Sequence, residues 1–230
     1  MSDLSSIDHV TSGPAYEKLG LVHRVHVPPG DGPFPTLVML HGLSGTEDVT
    51  WIFARAAGPE WLIISPRAPH PTKDGYSWNA LDEEGKTDKT DLQIGLDALT
   101  HFIDALPAVY HMDHKHLVLL GFSQGAAMAH VYGTTHPVSG IASLAGFIPS
   151  ELANNLPPLH TLPVLILHGT KDETVPISIA RKNRDQLIAA GAKVTYLEME
   201  TGHKLSTAGM AELKRWLAER LVVQVDSPEQ

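Results

Sequence analysis

The chain of 230 residues carries 17 Lys and Arg against 26 Asp and Glu, giving a formal net charge of −9, and 43% of its residues are hydrophobic. This composition excludes a disordered chain, a collagen-like fibre and a coiled coil, and the lack of a basic block argues against nucleic-acid partners. The chain has no cysteine, which excludes disulfides, thiolate metal sites and a Cys nucleophile.

The first residues form a polar segment, 1–15, without the basic start and apolar run that are typical of a secretory signal. No stretch approaches the roughly 20 apolar residues that a membrane span requires. We therefore expect a cytoplasmic protein with no stable membrane association. The length is that of one α/β domain over residues 1–230, as a monomer or homodimer.

Short apolar runs alternate with longer periodic segments along the chain. Several runs are almost uninterrupted Val, Ile and Leu, as expected for strands that are covered on both faces. Helices are predicted at 91–106 and 210–222, where apolar residues recur three or four apart. The alternation predicts an α/β fold with a mostly parallel sheet flanked by helices on both faces. The predicted strands are 21–27, 36–40, 61–64, 116–120, 140–144, 163–167 and 193–197.

Two proline-containing segments, 66–89 and 147–162, fit neither the helical nor the strand period. Since the strand pattern resumes directly after each, they are expected to be loops of the same domain and not a separate lid domain. Long loops within a compact α/β unit are often binding elements, so both are predicted to border an active site.

A Gly-Phe-Ser-Gln-Gly sequence at 121–125 follows the predicted strand 116–120 and precedes an alanine-rich segment, 126–129, whose residues favour a helix. A serine at such a strand-to-helix turn needs strained backbone angles, which glycine neighbours permit. The hydroxyl would then stand at the carboxyl edge of the sheet, next to the unpaired N–H groups of a helix N-terminus. The pattern indicates that Ser123 is a nucleophile, whereas a simple helix cap is the alternative.

A serine nucleophile requires a base and an orienting carboxylate, which the loops after two later strands provide. Asp172 and Glu173 both follow the strand 163–167, and His203 follows the strand 193–197. The chain order Ser, Asp, His is the one that α/β-hydrolases use. Of the 14 histidines, those at 111, 114 and 116 could suggest a metal site, but a solvated loop is the better interpretation.

Acyl transfer also needs two backbone N–H groups that bind the oxyanion. One should come from Gln124, directly after the nucleophile, and the other from the glycine-containing loop after the strand 36–40, where Leu43 is the best candidate.

At this point the sequence resembles the phospholipase/carboxylesterase family, which includes the acyl-protein thioesterases. The resemblance implies an α/β-hydrolase fold, a triad of Ser123, Asp172 and His203, and oxyanion donors at Leu43 and Gln124. It selects Asp172 over Glu173 as the orienting carboxylate. The motifs that carry it include LHGL at 40–43, PRAP at 66–69, SW at 77–78, GFSQGA at 121–126, LAGFIP at 144–149 and GH at 202–203.

The predicted function is that of a serine carboxylesterase that hydrolyses small or medium-chain esters through an acyl-enzyme. This chemistry needs no metal and no cofactor, and its partner is a small-molecule ester. Trp78 and Phe147 are candidates for lining the acyl pocket. The alternatives are an acyl-protein thioesterase or lysophospholipase with the same triad, and a non-enzymatic ligand sensor on the same fold.

Overall fold

An eight-stranded sheet and a two-stranded hairpin organise residues 6–79 and 92–222, the part of the chain that the computed structural model describes. In chain order the strands are β1 (Asp8–Val10), β2 (His23–His26), β3 (Phe34–Leu40), β4 (Leu62–Pro66), β5 (His70–Pro71), β6 (Tyr76–Ser77), β7 (Met112–Phe122), β8 (Gly140–Leu144), β9 (Pro163–Gly169) and β10 (Lys193–Met199). The helices are α1 (Gly13–Leu19), α2 (Trp51–Ala54), α3 (Leu92–Tyr110), α4 (Gln124–Thr135), α5 (Ser150–Ala153), α6 (Ile177–Ala189) and α7 (Thr207–Val222).

The large sheet has the strand order β1-β2-β4-β3-β7-β8-β9-β10. Strands β4, β3, β7, β8, β9 and β10 are parallel, whereas β1 and β2 pair antiparallel at one edge. The seven predicted strands and the mostly parallel α/β fold are therefore confirmed.

Several local predictions need correction. The segment 66–89 contains the hairpin β5–β6, with residues 80–89 outside the described part, and the segment 147–162 contains the short helix α5. Residues 112–116 are not a solvated loop but the first part of β7, which pairs with β3 through Met112 and Phe34. Helix α3 continues past Pro107 to Tyr110. Pro107 lies in the last turn, so the backbone hydrogen bond that a proline removes is one of the last in the helix.

The two faces of the sheet each carry a hydrophobic core, as the uninterrupted apolar strands predict. In β3, Val38 and Leu40 pack in one core, which includes side chains of α3, α4 and α6. Leu37 and Met39 point the other way, into a core with α2 and α7. This alternation follows from the period of two along a strand. Because the strands are parallel, their carboxyl ends lie at one edge of the sheet, and the loops that follow β3, β7, β9 and β10 meet there.

A buried ion pair joins the loop after β3 to the loop after β4. Both carboxylate oxygens of Glu47, in the loop after β3, accept hydrogen bonds from Arg67, at 2.7 Å from Nε and 2.6 Å from Nη2. Arg67 lies directly after β4, and its Nη1 donates to the Tyr76 hydroxyl at 3.1 Å. His9 Nε2 lies 2.8 Å from the same carboxylate. Burial alone would raise the pKa of Glu47, but hydrogen bonds from Arg67 outweigh it, and the pKa falls to about 2.

The lowered pKa makes this pair a pH-dependent source of stability. Its contribution is present above the ordinary pKa of 4.5 and is lost as the pH falls towards about 2. We expect Glu47→Gln to lower the free energy of unfolding at pH 7 by about 3 kcal/mol, because Arg67 loses its charged partner. Urea unfolding of both proteins should show this difference shrinking between pH 4.5 and pH 3, because Glu47 of the parent protein becomes protonated in the unfolded chain while it stays charged in the folded one.

The exposed pair Lys171–Glu200 supplies a control with the same chemistry, since the side chains are 65% and 80% exposed. Glu200→Gln should leave the free energy of unfolding nearly unchanged at both pH values. An equal effect of the two substitutions would contradict the assigned role of Glu47.

Candidate active site

Ser123 lies at the turn between β7 and α4, in a backbone conformation that residues other than glycine rarely adopt. Its φ of 53° and ψ of −117° lie outside the ordinary helical and strand regions. The turn is fixed from the neighbouring strand, because Ser123 N donates to the Leu144 carbonyl at 3.0 Å. The side chain is thereby held at the carboxyl edge of the sheet, in front of the first N–H groups of α4.

Gly125 allows the first turn of α4 to press directly against the end of β3. A Cβ at this position would lie 2.1 Å from the Leu40 oxygen and 2.6 Å from the His41 oxygen, both of them backbone atoms that cannot move aside. The second glycine of the motif is thus required by a close approach between backbones. This approach brings Ser123 next to the loop that follows β3.

Asp172 and His203 form a direct contact between the loops after β9 and β10. His203 Nδ1 lies 2.8 Å from Asp172 Oδ2, and the carboxylate of Asp172 is completely buried. The other oxygen, Oδ1, accepts the backbone N–H groups of Thr174 and Val175, each at 2.9 Å. Burial alone would raise the pKa of Asp172, but the Val175 N–H, His203 and the Thr174 N–H outweigh it and lower the pKa. The carboxylate is therefore charged at neutral pH.

Glu173, the other carboxylate that the sequence left open, is exposed to solvent. The imidazole of His168 is completely buried beside Asp172, with Nε2 3.4 Å from Asp172 Oδ2 and 2.7 Å from the Val175 carbonyl. Since a carbonyl only accepts, Nε2 of His168 carries the proton and donates it. His168 thus holds the loop around Asp172.

Backbone contacts set the separation of these two loops. Thr170 N donates to the Met199 carbonyl at 2.8 Å, and Lys171 N donates to the Thr201 carbonyl at 3.0 Å. Gly169 makes the approach possible, because a Cβ there would lie 2.3 Å from both the Thr201 and Gly202 oxygens. The Asp172–His203 contact is therefore built on a rigid junction.

Ser123 and His203 line one open cleft of about 420 Å³. The imidazole packs beside Phe122, with 5.0 Å between the ring centroids. Within residues 6–79 and 92–222, no hydrogen bond joins the Ser123 hydroxyl to His203. Contacts of this kind often tighten only when a substrate is bound. The other residues that line the cleft are Gly42, Leu43, Gln124, Phe147, Thr174 and Val175.

Leu43 and Gln124, the predicted oxyanion donors, both line this cleft, Leu43 from the loop after β3 and Gln124 from the start of α4. The loop is braced by the buried His41, whose Nε2 accepts the Ala68 N–H at 3.0 Å. Nδ1 of His41 must therefore carry the proton, and it donates to the Gly42 carbonyl at 2.7 Å. Burial lowers the pKa of His41, so the ring is neutral and acts as a structural brace.

The side chain of Gln124 has a role that the motif did not reveal. Its Oε1 accepts the Trp78 backbone N–H at 3.1 Å, and its Nε2 donates to the Ser77 hydroxyl at 2.9 Å. Trp78 itself is completely buried, and its Nε1 donates to the His41 carbonyl at 2.9 Å. The structure thus places Trp78 beneath the cleft, where it supports the loop after β3, while Phe147 is in the wall of the cleft.

Two further kinds of feature, membrane-spanning helices and metal-binding groups, concern the described residues as a whole. None of the helices in the described ranges is long and apolar enough to cross a membrane. Residues 6–79 and 92–222 contain no group of three His, Asp or Glu that could hold a metal ion. This includes the histidines at 111, 114 and 116, the last two of which lie in β7.

Comparison with known proteins gives several similarities. NocK of Nocardia uniformis subsp. tsuyamanensis is 28% identical over 208 residues, which are 84% of this chain and 58% of NocK. Acyl-protein thioesterase 1 of Mycosarcoma maydis is 29% identical over 185 residues, 69% of this chain and 77% of that protein. The chain therefore spans little more than half the length of NocK.

Among solved structures, the Bacillus cereus carboxylesterase has the same fold, with a TM-score of 0.79 and 23% identity over 89% of this chain and 97% of that one. The phospholipase/carboxylesterase family profile matches residues 23–221, a range that holds Ser123, Asp172 and His203. The resemblance seen in the sequence motifs is thus confirmed, and the chain belongs to the phospholipase/carboxylesterase family of α/β-hydrolases.

Proposed function

We propose that this protein is a serine carboxylesterase that hydrolyses small or medium-chain carboxylic esters. The observation that carries the proposal is the 2.8 Å contact between His203 Nδ1 and the buried Asp172, in a cleft that also holds the strained Ser123. A carboxylate on Nδ1 leaves Nε2 free to accept a proton, which is the arrangement that a serine nucleophile requires.

In the first half of the reaction, Ser123 Oγ forms a bond to the ester carbonyl carbon while its proton moves to His203 Nε2. The carbonyl oxygen becomes negative and is stabilised by the backbone N–H groups of Leu43 and Gln124. The bond to the alcohol oxygen then breaks as Nε2 returns the proton to that oxygen. In the second half, His203 Nε2 takes a proton from water as the water oxygen bonds to the acyl carbon. The bond between that carbon and Ser123 Oγ then breaks, Nε2 returns the proton to Oγ, and the carboxylic acid is released.

The acyl group has a neighbouring apolar cavity. It adjoins the same cleft, because Gln124 and Phe147 line both, and most of its surface is apolar, with Asn79, Ser150 and Glu151 as further polar side chains of its described lining. Ala127 on α4 and Pro149, just before α5, contribute to it. We assign the acyl chain to this cavity, which supports a substrate with an uncharged acyl part.

A thioesterase acting on acylated substrates is the second candidate, since acyl-protein thioesterase 1 of Mycosarcoma maydis is a relative of this chain. The same nucleophile and base would serve both reactions. The exposed apolar cleft favours small esters. Parallel measurement of p-nitrophenyl esters and acyl-thioesters with equal acyl chains decides between them, with the higher kcat/KM marking the true class.

The assignment of the nucleophile predicts covalent modification at one position. A fluorophosphonate probe should label Ser123, as located by peptide mass spectrometry. Ser123→Ala and His203→Ala should each lower kcat by roughly 10⁴- to 10⁶-fold, because each removes one member of a group of residues that work only together. Ser139→Ala, before β8 at the opposite edge of the sheet, is the matched control and should keep its activity. An adduct at another serine, or none, would rule out Ser123.

The choice between the two acidic neighbours gives a second prediction. Asp172→Asn should lower kcat by about 10⁴-fold with little change in KM, because a neutral amide no longer holds the tautomer or stabilises the imidazolium. Glu173→Gln, which changes the exposed neighbour in the same way, should remain within about twofold of the parent protein. Steady-state kinetics on one p-nitrophenyl ester measures both, and equal losses would refute the assignment of Asp172.

Gln124→Ala separates the backbone of this residue from its side chain. The substitution keeps the N–H that binds the oxyanion, so kcat should fall far less than in Ser123→Ala. It removes the acceptor of the buried Trp78 N–H, so the free energy of unfolding should fall by about 1–3 kcal/mol. Urea unfolding and kcat are measured together, with Gln93→Ala on the exposed side of α3 as the control. A loss of kcat as large as that of Ser123→Ala in a folded protein would contradict a purely backbone role.

A further inference from the structure

We propose that a second apolar groove, beside His203, binds the alcohol portion of the ester and selects alcohols with an alkyl or aromatic chain. The proposal rests on the proposed esterase function and adds the leaving-group side of the substrate to it. The groove encloses about 360 Å³. Its apolar lining consists of Val49, Ile52, Phe53, Phe122, Leu205 and Met210.

Two of the most exposed apolar side chains of the described residues lie in this groove. Val49, just before α2, is 53% exposed, and Ile52, within α2, is 55% exposed. Single exposed apolar residues are ordinary on a protein surface. Here they line one groove together with Leu205, just before α7, and Met210, within α7, so the groove presents a contiguous apolar surface.

The groove adjoins the catalytic cleft at the side chain of Phe122. This ring lines both spaces. On one side it packs against the imidazole of His203, with 5.0 Å between centroids, and on the other it stacks on Phe53 at 6.0 Å. Leu205, two residues after His203, lines the groove from the opposite side. The groove therefore lies beside the imidazole, with the Phe122 ring and the backbone of residues 203–205 in common between the two.

The chemistry of the leaving group places the alcohol on this side. When the tetrahedral intermediate collapses, the bond between carbon and the alcohol oxygen breaks and the proton on His203 Nε2 moves to that oxygen. The two atoms must be within hydrogen-bond reach at that moment. The carbon chain attached to the oxygen then extends along the imidazole side of the cleft, whereas the acyl carbon stays bonded to Ser123 on the side of Gln124 and Phe147.

The side chains of the groove define the class of alcohol. Among the residues that the structure describes, its lining contains no carboxylate that could pair with a cationic headgroup. Lys204 is the charged residue in the lining, and it is exposed to solvent. An uncharged alkyl or aromatic alcohol fits this surface, and each methylene that the groove covers should raise kcat/KM by up to about fourfold.

Butyrate esters that differ only in the alcohol test the proposal. The methyl and hexyl esters have the same acyl part and chemically similar leaving oxygens. The parent protein should prefer hexyl over methyl butyrate in kcat/KM by at least about tenfold. Ile52→Asp should lower this hexyl-to-methyl ratio by about tenfold or more, because it places a charge in the groove. Circular dichroism melting checks that the variant is folded.

Ile188→Asp provides the matched control, since Ile188 is 53% exposed on α6, away from the cleft. Its hexyl-to-methyl ratio should equal that of the parent protein. A ratio unchanged in Ile52→Asp, or reduced equally in both variants, would overturn the proposal. So would a preference for choline butyrate over hexyl butyrate, or a Lys204-dependent preference for 2-phosphoethyl butyrate. If no ester is hydrolysed and the fluorophosphonate probe does not label Ser123, the esterase function itself fails, which is a distinct result.

Discussion

The approach of α4 to the end of β3 is the contact on which the cleft depends. Gly125 lies so close to the Leu40 and His41 carbonyls that any side chain would overlap them. Because this contact fixes the helix axis against the sheet, the residue two positions earlier, Ser123, is forced into its unusual backbone conformation. The same contact sets the position of the loop after β3, so Ser123 and the loop that holds Leu43 are placed by one packing contact. The strain at Ser123 is balanced by the cores on both faces of the sheet.

Two buried carboxylates stabilise the edge of the sheet in different ways. Glu47 is neutralised by the permanent charge of Arg67, and this pair joins the loops after β3 and β4. Asp172 has two backbone N–H groups and the imidazole of His203 as its partners. Since a guanidinium stays protonated and an imidazole does not, the first pair suits a structural tie. The second suits a site where a proton must come and go.

Sequence patterns predicted those parts of the molecule that depend on local rules. Continuous Val, Ile and Leu runs are enough to identify central strands, and the β7–α4 turn requires glycine and serine at fixed positions. Helix α6 is not predicted from the sequence, because its buried residues are only Ala180, Asn183 and Leu187, too few and too mixed to give a helical apolar period. The choice between Asp172 and Glu173 depends on which carboxylate the loop after β9 turns inward. In a loop, no sequence periodicity indicates which of two adjacent side chains is buried.

Long-range contacts were beyond the reach of these patterns. Glu47 and Arg67 are 20 residues apart, and nothing in either local sequence indicates that they meet. An aromatic residue such as Trp78 suits a pocket wall and a core equally well by composition. The buried indole and its hydrogen bond to the His41 carbonyl become visible only in the folded chain.

The pleat of β7 explains why the cleft opens in two directions. Side chains alternate along a strand, so Val118, Leu120 and Phe122 point to the same face, the one packed by α2 and α7. Phe122 is covalently adjacent to Ser123, and its ring therefore lies on the α2 side of the nucleophile while α4 lies on the other. The apolar groove and the apolar cavity follow from this division, one on each side of the hydroxyl. An ester held between them would be bound at both ends and would present only its carbonyl carbon to Ser123.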